Sequence, residues 1–425
     1  MTITHKDYLK IASPFIISTV TQPLLGAVDT AVIGQLGIAE LIGGVAIGTI
    51  IMNTMYWLFG FFRVSTTGQS AMALGRGNRS ELAGSLMRPF VLSVLVGLIF
   101  ILIQPLIWQG AMWVIEPEAN VAGNAHIYFS ILIYGAPFVL LNYTIIGWLM
   151  GQAKAKEVLY TQVFGNVLNI VLDAVFVLYF ELGVAGVAYA SLIAQVTTFA
   201  IGVTLVMKTS NISVSEFMQG SKMTKKDLST IISSNTDLLL RTICILVFFN
   251  MMARTGSKLG TDVLAANASS VFAGKAVGQK SASMLDRVLR LNFQWTAGFI
   301  AALTLLTLMF KDMIVFLFTD IPALVALYQE MAPWLIVFPL VAGFGLTVYG
   351  IFTGTGTTRP VRDSSIATLL VFLAVQAFAV GAWGNHGLWL AFTLFYLGRI
   401  AFLYPFISQV KQKCYPVEDA SAACH

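Results

Sequence analysis

Ser13-Pro14-Phe15-Ile16-Ile17-Ser18-Thr19-Val20-Thr21-Gln22-Pro23-Leu24-Leu25-Gly26-Ala27-Val28-Asp29-Thr30-Ala31-Val32-Ile33-Gly34 is long enough to cross a bilayer, yet it carries two prolines, several hydroxyls and a carboxylate. A helix that only anchors a chain needs none of these. An ionisable side chain inside a membrane span is costly, so Asp29 reads first as part of an ion or substrate pathway and second as a polar packing device. Pro14 and Pro23 remove backbone hydrogen bonds from the same span and create places where it can bend.

The rest of the chain supports a membrane setting. Of 425 residues 57% are hydrophobic and 11% charged, where a soluble protein has about a quarter charged. The polar start, Met1 to Lys10, and the long interrupted first span do not look like a cleavable signal, so the first span is expected to stay. Apolar runs near 9–34, 41–62, 88–108, 126–150, 157–180, 183–207, 230–253, 294–318, 325–351, 364–384 and 388–408 give eleven spans. Sorted by loop, 17 of the 25 Lys and Arg residues fall on one side and Lys311 alone on the other, which puts both termini in the cytoplasm. The net charge of +5 therefore records topology, and no nucleic-acid partner is expected. The four histidines have no metal-ligand spacing, and nucleophile-elbow, P-loop and dinucleotide motifs are missing. A metal enzyme and an ATP-driven pump both lack support, and no cofactor is expected.

Two cytoplasmic ends require an even number of crossings, so eleven is one short. An internal repeat accounts for this. Gln35-Leu36-Gly37 echoes Lys258-Leu259-Gly260 at an offset of 223, whereas Gly147 and Gly151 echo Gly350 and Gly354 at an offset of 203. The second half is shorter by one helix, lost near 261–278. The expected architecture is all-α: two pseudo-symmetric six-helix lobes, the first over 1–207 and the second over 229–410 without its second helix. A polar linker, 208–228, joins them, and 411–425 forms a cytoplasmic tail. Within the linker a short amphipathic helix and disorder both remain open.

The second deep carboxylate is Asp173, in Asn166-Val167-Leu168-Asn169-Ile170-Val171-Leu172-Asp173, where Asn166, Asn169 and Asp173 share one helix face. Asp29 lies 19 residues beyond Lys10 and Asp173 lies 17 beyond Lys156, so both sit about 26–29 Å from the cytoplasmic end. Two carboxylates at one depth in a poorly solvated cavity cannot both ionise cheaply, so one carries a proton, and its loss leaves a site for an organic cation. Tyr134, Asn142 and Ser191 could line the same cavity, although each taken alone reads first as ordinary packing. The alternative is a polar cluster that glues the helices together. In the second half, Asp237 and Arg241 read as an i, i+4 ion pair, and Arg399 as a side chain snorkelling to the surface.

Together, Pro14, the run Leu24 to Gly34, Arg63-Val64-Ser65-Thr66-Thr67-Gly68-Gln69 and Gly165 to Asp173 resemble the multidrug and toxic compound extrusion (MATE) transporters. The resemblance is to the branch named for the DNA-damage-inducible protein F. It implies a secondary transporter of the inner membrane that exports organic cations and other amphiphilic drugs by alternating access, coupled to H⁺ or Na⁺, with a monomer expected in the bilayer. It further implies that Asp29, Asn169 and Asp173 form the cation-coupling site, that Tyr134 and Ser191 lie near it, and that Pro14 is the hinge of the first helix. H⁺ is preferred because the family's Na⁺-type sites use second-lobe carboxylates that this chain lacks. Two other readings stay open: a flippase for lipids or lipid-linked precursors, and a truncated membrane protein without transport activity.

Overall fold

A computed structural model of the chain describes residues 32–210, 212–213, 215–217, 225–255, 275–316 and 322–414, together with His5 and Ala273. The described residues are helical, with short connections and no strand. Seven of their helical segments are long and apolar enough to cross a membrane. Backbone polar groups cannot reach water in hydrocarbon, and a helix satisfies them within one segment. The chain divides into two units, one over Leu9–Asn235 and one over Thr236–His425 with Met1–Tyr8. Asp29, Pro14, Pro23 and the region 261–272, where the repeat loses its helix, lie outside the described residues.

The first unit contains α1 (Ala39–Leu58), α2 (Phe61–Arg76), α3 (Arg79–Leu102), α4 (Gln104–Ile115), α5 (Ala119–Leu132), α6 (Ala136–Gly151), α7 (Ala155–Asp173) and α8 (Gly183–Thr209). The hydropathy span 41–62 ends too early. After a break at Phe59-Gly60 the helix resumes as α2, which carries Arg63 and buries Ser65, Thr66, Thr67 and Ser70. These hydroxyls lower the apolar average without ending the helix: Thr67 Oγ1 donates back to the Arg63 carbonyl at 2.8 Å. The helix is held by α6, where a Cβ on Gly147 would strike the Arg63 carbonyl and one on Gly151 would lie 2.5 Å from that of Thr67. This Gly-x-x-x-Gly pair lets the two backbones touch, as small residues do between membrane helices. Ser70 Oγ then donates to the Trp148 carbonyl at 3.0 Å, and Gln152 Nε2 donates to Ser70 Oγ at 2.7 Å.

The turn after α2 uses ordinary local chemistry. Gly77 takes φ 68 to close α2, and Asn78 caps α3 by accepting from the backbone N–H groups of Ser80 and Glu81. The third span thus begins at Arg79 rather than at 88, and past Leu102 the chain continues as a separate helix, α4.

The second unit contains most of α9 (Lys225–Thr255), then α10 (Ala282–Phe316), α11 (Pro322–Gly354), α12 (Arg359–Leu403) and the short α13 (Ile407–Gln412). α12 is broken at Gly384, whose φ of 53 separates the expected spans 364–384 and 388–408. α10 starts twelve residues before the expected 294, because its first turns, with Asp286, Arg287 and Arg290, are polar. α10 and α11 are clasped by Thr296 and Thr347, whose hydroxyls lie 2.8 Å apart. The first unit has the same clasp 203 residues earlier: Ser93 of α3 and Thr144 of α6, also 2.8 Å apart. The repeat offset thus maps one interhelical hydrogen bond onto another.

Two charge assignments are corrected. Asp237 does not pair with Arg241; it accepts from Thr358 Oγ1 and Arg362 Nη1, each at 2.8 Å. Arg399 does not snorkel; it is 4% exposed, with Cζ 5.7 Å from the Tyr349 ring centre and 5.9 Å from that of Tyr396.

Candidate functional site

α7 places the site. Its buried positions include Thr161, Gly165, Asn169 and Asp173, each four residues on from the last, so they form one stripe along the helix. At Gly165 a Cβ would strike Thr198 Oγ1, so α7 and α8 approach closely there. One turn further along, Asn169 bridges the two helices. Its Nδ2 donates to Asp173 Oδ2 at 2.5 Å, and its Oδ1 accepts from Ser191 Oγ at 3.1 Å. With Asp173 ionised, the amide faces its nitrogen toward the carboxylate and its oxygen toward the hydroxyl. Asp173 is 0% exposed, Asn169 3% and Ser191 8%. A carboxylate this far from water needs a proton or another cation to balance it.

Immediately beyond Asp173 the helix changes pitch. Residues Ala174–Tyr179 form a π turn, in which the Phe180 N–H bonds the Val175 carbonyl at 3.0 Å. Such turns are uncommon and concentrate at functional sites.

The structure brings only some of the expected residues together. Asn169, Asp173 and Ser191 are joined by hydrogen bonds. Asn166 is half-buried at the margin of the stripe. Asn142 is buried on α6 and donates to the Gln195 carbonyl at 3.0 Å. Tyr134 sits in the 3-10 turn Ile133–Gly135, is 54% exposed, and makes no described hydrogen bond to the cluster. Gln195 was not anticipated: it lies one turn beyond Ser191, and among the described residues its buried Oε1 accepts no hydrogen bond. Its i, i+4 spacing from Ser191 was the available signal.

A profile for the MatE family matches residues 14–175 and 259–378, and the two matches end 203 residues apart. The chain is 30% identical over 415 residues to the DNA damage-inducible protein F of Escherichia coli (strain K12), covering 93% of this chain and 90% of that protein. It is 21% identical over 413 residues to the probable multidrug resistance protein NorM of Thermotoga maritima, covering 89% and 88%. Its fold superposes on a solved MATE in the bent conformation with a TM-score of 0.85, at 19% identity, over 98% of this chain and 97% of the other. The chain belongs to the MatE family of membrane transporters.

Proposed function

We propose that this protein is a proton-coupled antiporter that exports organic cations and amphiphilic drugs across the inner membrane, as a monomer with both termini in the cytoplasm. The observation that carries the reading is Asp173: a fully buried carboxylate held by an amide, beside a π turn, on a helix long enough to cross the bilayer. Asp29 shares its expected depth and would share the proton. Ser191 and Asn169 orient Asp173, Asn166 and Tyr134 contribute to the cavity, and Pro14 lets the first helix bend when the charge changes. Relatives described as multidrug resistance proteins support the cargo class. Na⁺ is the alternative coupling ion.

Purified protein in vesicles loaded with a fluorescent organic cation tests this. A pH gradient should drive efflux and a Na⁺ gradient should not, and Asp173→Asn should reduce gradient-driven efflux to that of empty vesicles. Full proton-driven efflux by Asp173→Asn, or drive by Na⁺ alone, overturns the coupling assignment.

A further inference from the structure

The break in α12 is tied down by one histidine. Gly384 takes φ 53, a conformation that L side chains rarely adopt, and beyond it the chain folds back so closely that a Cβ on Gly387 would strike the Ala379 carbonyl. His386 lies between these glycines, in the interval between the expected spans 364–384 and 388–408. Its ring therefore stands at the surface of the bilayer rather than within it.

Two side chains of α11 meet that ring. Trp334 Nε1–H donates to His386 Nδ1 at 3.0 Å, and His386 Nε2 lies 3.1 Å from Glu330 Oε1. Glu330 and Trp334 are one helical turn apart, so one face of α11 presents a donor and an acceptor to the two nitrogens of a single imidazole. An indole nitrogen only donates and an ionised carboxylate only accepts, so Nδ1 keeps its lone pair and Nε2 carries the proton. The arrangement selects one neutral tautomer.

Protonation breaks this arrangement at one end and strengthens it at the other. An imidazolium carries hydrogen on both nitrogens, so its Nδ1 meets the Trp334 N–H donor to donor, while its Nε2–H gains a charged partner in Glu330. Trp334 packs on the aromatic cluster built around Phe248, Phe372 and Phe395, and two further members of that cluster, Leu388 and Trp389, follow His386 by two and three residues. A proton taken up at the surface thus reaches the core of the second unit. Among the described residues the charged group against the ring is Glu330; the neighbours of His386 on its own helix, Gly384, Asn385 and Gly387, do not titrate. By sequence the other charges near these helix ends are Arg254, Lys311, Asp312 and Asp320, whose side chains lie outside the described residues.

We propose that His386 is a pH-operated strap on the outer face of the second unit: neutral, it ties the Gly384 break to both Trp334 and Glu330, and protonated, it lets Trp334 go and holds by Glu330 alone. Its placement on the outer face rests on the topology proposed above. The strap itself involves neither Asp173 nor the coupling ion.

The test reads the purified full chain at equilibrium, in detergent and without any gradient. The Trp334 indole N–H resonance, assigned by its loss in Trp334→Phe or Trp334→Tyr, should titrate as pH falls from about 8 to about 5, the interval in which histidine changes charge. In His386→Gln, whose amide accepts from Trp334 and donates to Glu330 without titrating, the resonance should stay fixed. Amide exchange at residues 384–388, compared between proteins at equal pH, separates the two holds. Trp334→Phe should lower protection about two- to tenfold at about pH 8 and match the parent at about pH 5. Glu330→Gln keeps a neutral acceptor, so it should match the parent at about pH 8 and lose about two- to fivefold at about pH 5. His386 and Glu330 are exposed, so their variants carry the test if Trp334→Phe does not fold. A Trp334 resonance that does not titrate in the parent, or that titrates equally in His386→Gln, overturns the strap, as does an equal loss of protection at both pH values in Trp334→Phe. Asp173→Asn should leave the titration intact, so the strap and the coupling assignment fail separately.

Discussion

Shifted by 203 residues, the hydroxyl clasp of the first unit falls on that of the second, but the helix beside it does not keep its chemistry. Asn166, Asn169, Asp173 and Ser191 fall on Leu369, Phe372, Gln376 and Leu394. Where the first unit buries a carboxylate held by an amide, the second buries Phe372 in a cluster with Phe248, Leu388, Trp389, Phe392, Phe395 and Tyr396. Phe248 stacks on Phe395 with ring centres 3.8 Å apart and meets Phe372 edge-on at 4.7 Å. The scaffold repeats and the interior does not. One half buries a carboxylate at this level, and the other is packed like a core, which resists any change of volume.

Exchanging the two chemistries puts this contrast at risk most directly. Phe372→Asn opens a cavity and inserts an unpaired amide into an aromatic cluster, so the loss of stability should be about 3–5 kcal/mol, read as detergent-solubilised thermal unfolding. Asn169→Phe should abolish efflux, because it removes the donor to Asp173 and the acceptor for Ser191 and overfills a buried position. If Phe372→Asn proves neutral, the second interior is not a packed core and the contrast fails.

A second comparison sets Asp173 against Asp237. Both are buried, but Asp237 is held by a guanidinium and a hydroxyl, which suits a structural tie between α9 and the start of α12. Arg362→Ala should destabilise the second unit by less than the ~3–5 kcal/mol of a fully buried pair, because the Arg362 side chain is 32% exposed. Efflux per folded molecule should persist, unlike in Asp173→Asn. Loss of transport with unchanged unfolding would place Asp237 among the functional carboxylates.

Much of this was readable from composition and spacing, and the misses have a common physical cause. Asn169 and Asp173 sit four apart on one helix, and that periodicity alone puts them together. The same rule misled at Asp237 and Arg241, because an i, i+4 pair is only one of several partners a buried carboxylate can find. Arg362 is 125 residues away in sequence. Depth along a helix follows from residue counting, which puts Asp29 and Asp173 at one level, but the direction a side chain faces does not; Tyr134, read as able to line the same cavity, is 54% exposed. Hydropathy windows marked where each helix is apolar, not where it ends. They missed α2, whose buried Ser and Thr residues pack against Gly147 and Gly151.

The clasps give a smaller, symmetric test of the repeat. Ser93→Ala and Thr296→Val each remove one interhelical hydrogen bond, and in membrane bundles such bonds average about 0.6 kcal/mol. The two losses should be similar in size. A loss confined to one half would mean that the shared geometry does not carry shared energetics.

The smallest expected effect lies where the first unit runs into the linker. Ser213 and Glu216 form a reciprocal capping box: the Ser213 N–H donates to Glu216 Oε2 at 2.7 Å, and the Glu216 N–H donates to Ser213 Oγ at 3.3 Å. These bonds hold the Glu216 carboxyl below the usual range, and they shape a turn whose Phe217 is buried against Trp148, ring centres 6.3 Å apart. A carboxyl depressed in the folded turn stabilises it fully above the ordinary glutamate value, and that contribution is lost as pH falls through the depressed value. Amide exchange at residues 213–217, corrected for its intrinsic pH dependence, should therefore accelerate on acidification in the parent protein and be fast at every pH in Glu216→Gln. Added salt should weaken the effect only modestly, because hydrogen bonds rather than distant charge produce it. Protection that is flat across the acid range, or equal in Glu216→Gln, would show that burial of Ile212 and Phe217 holds the turn without the cap.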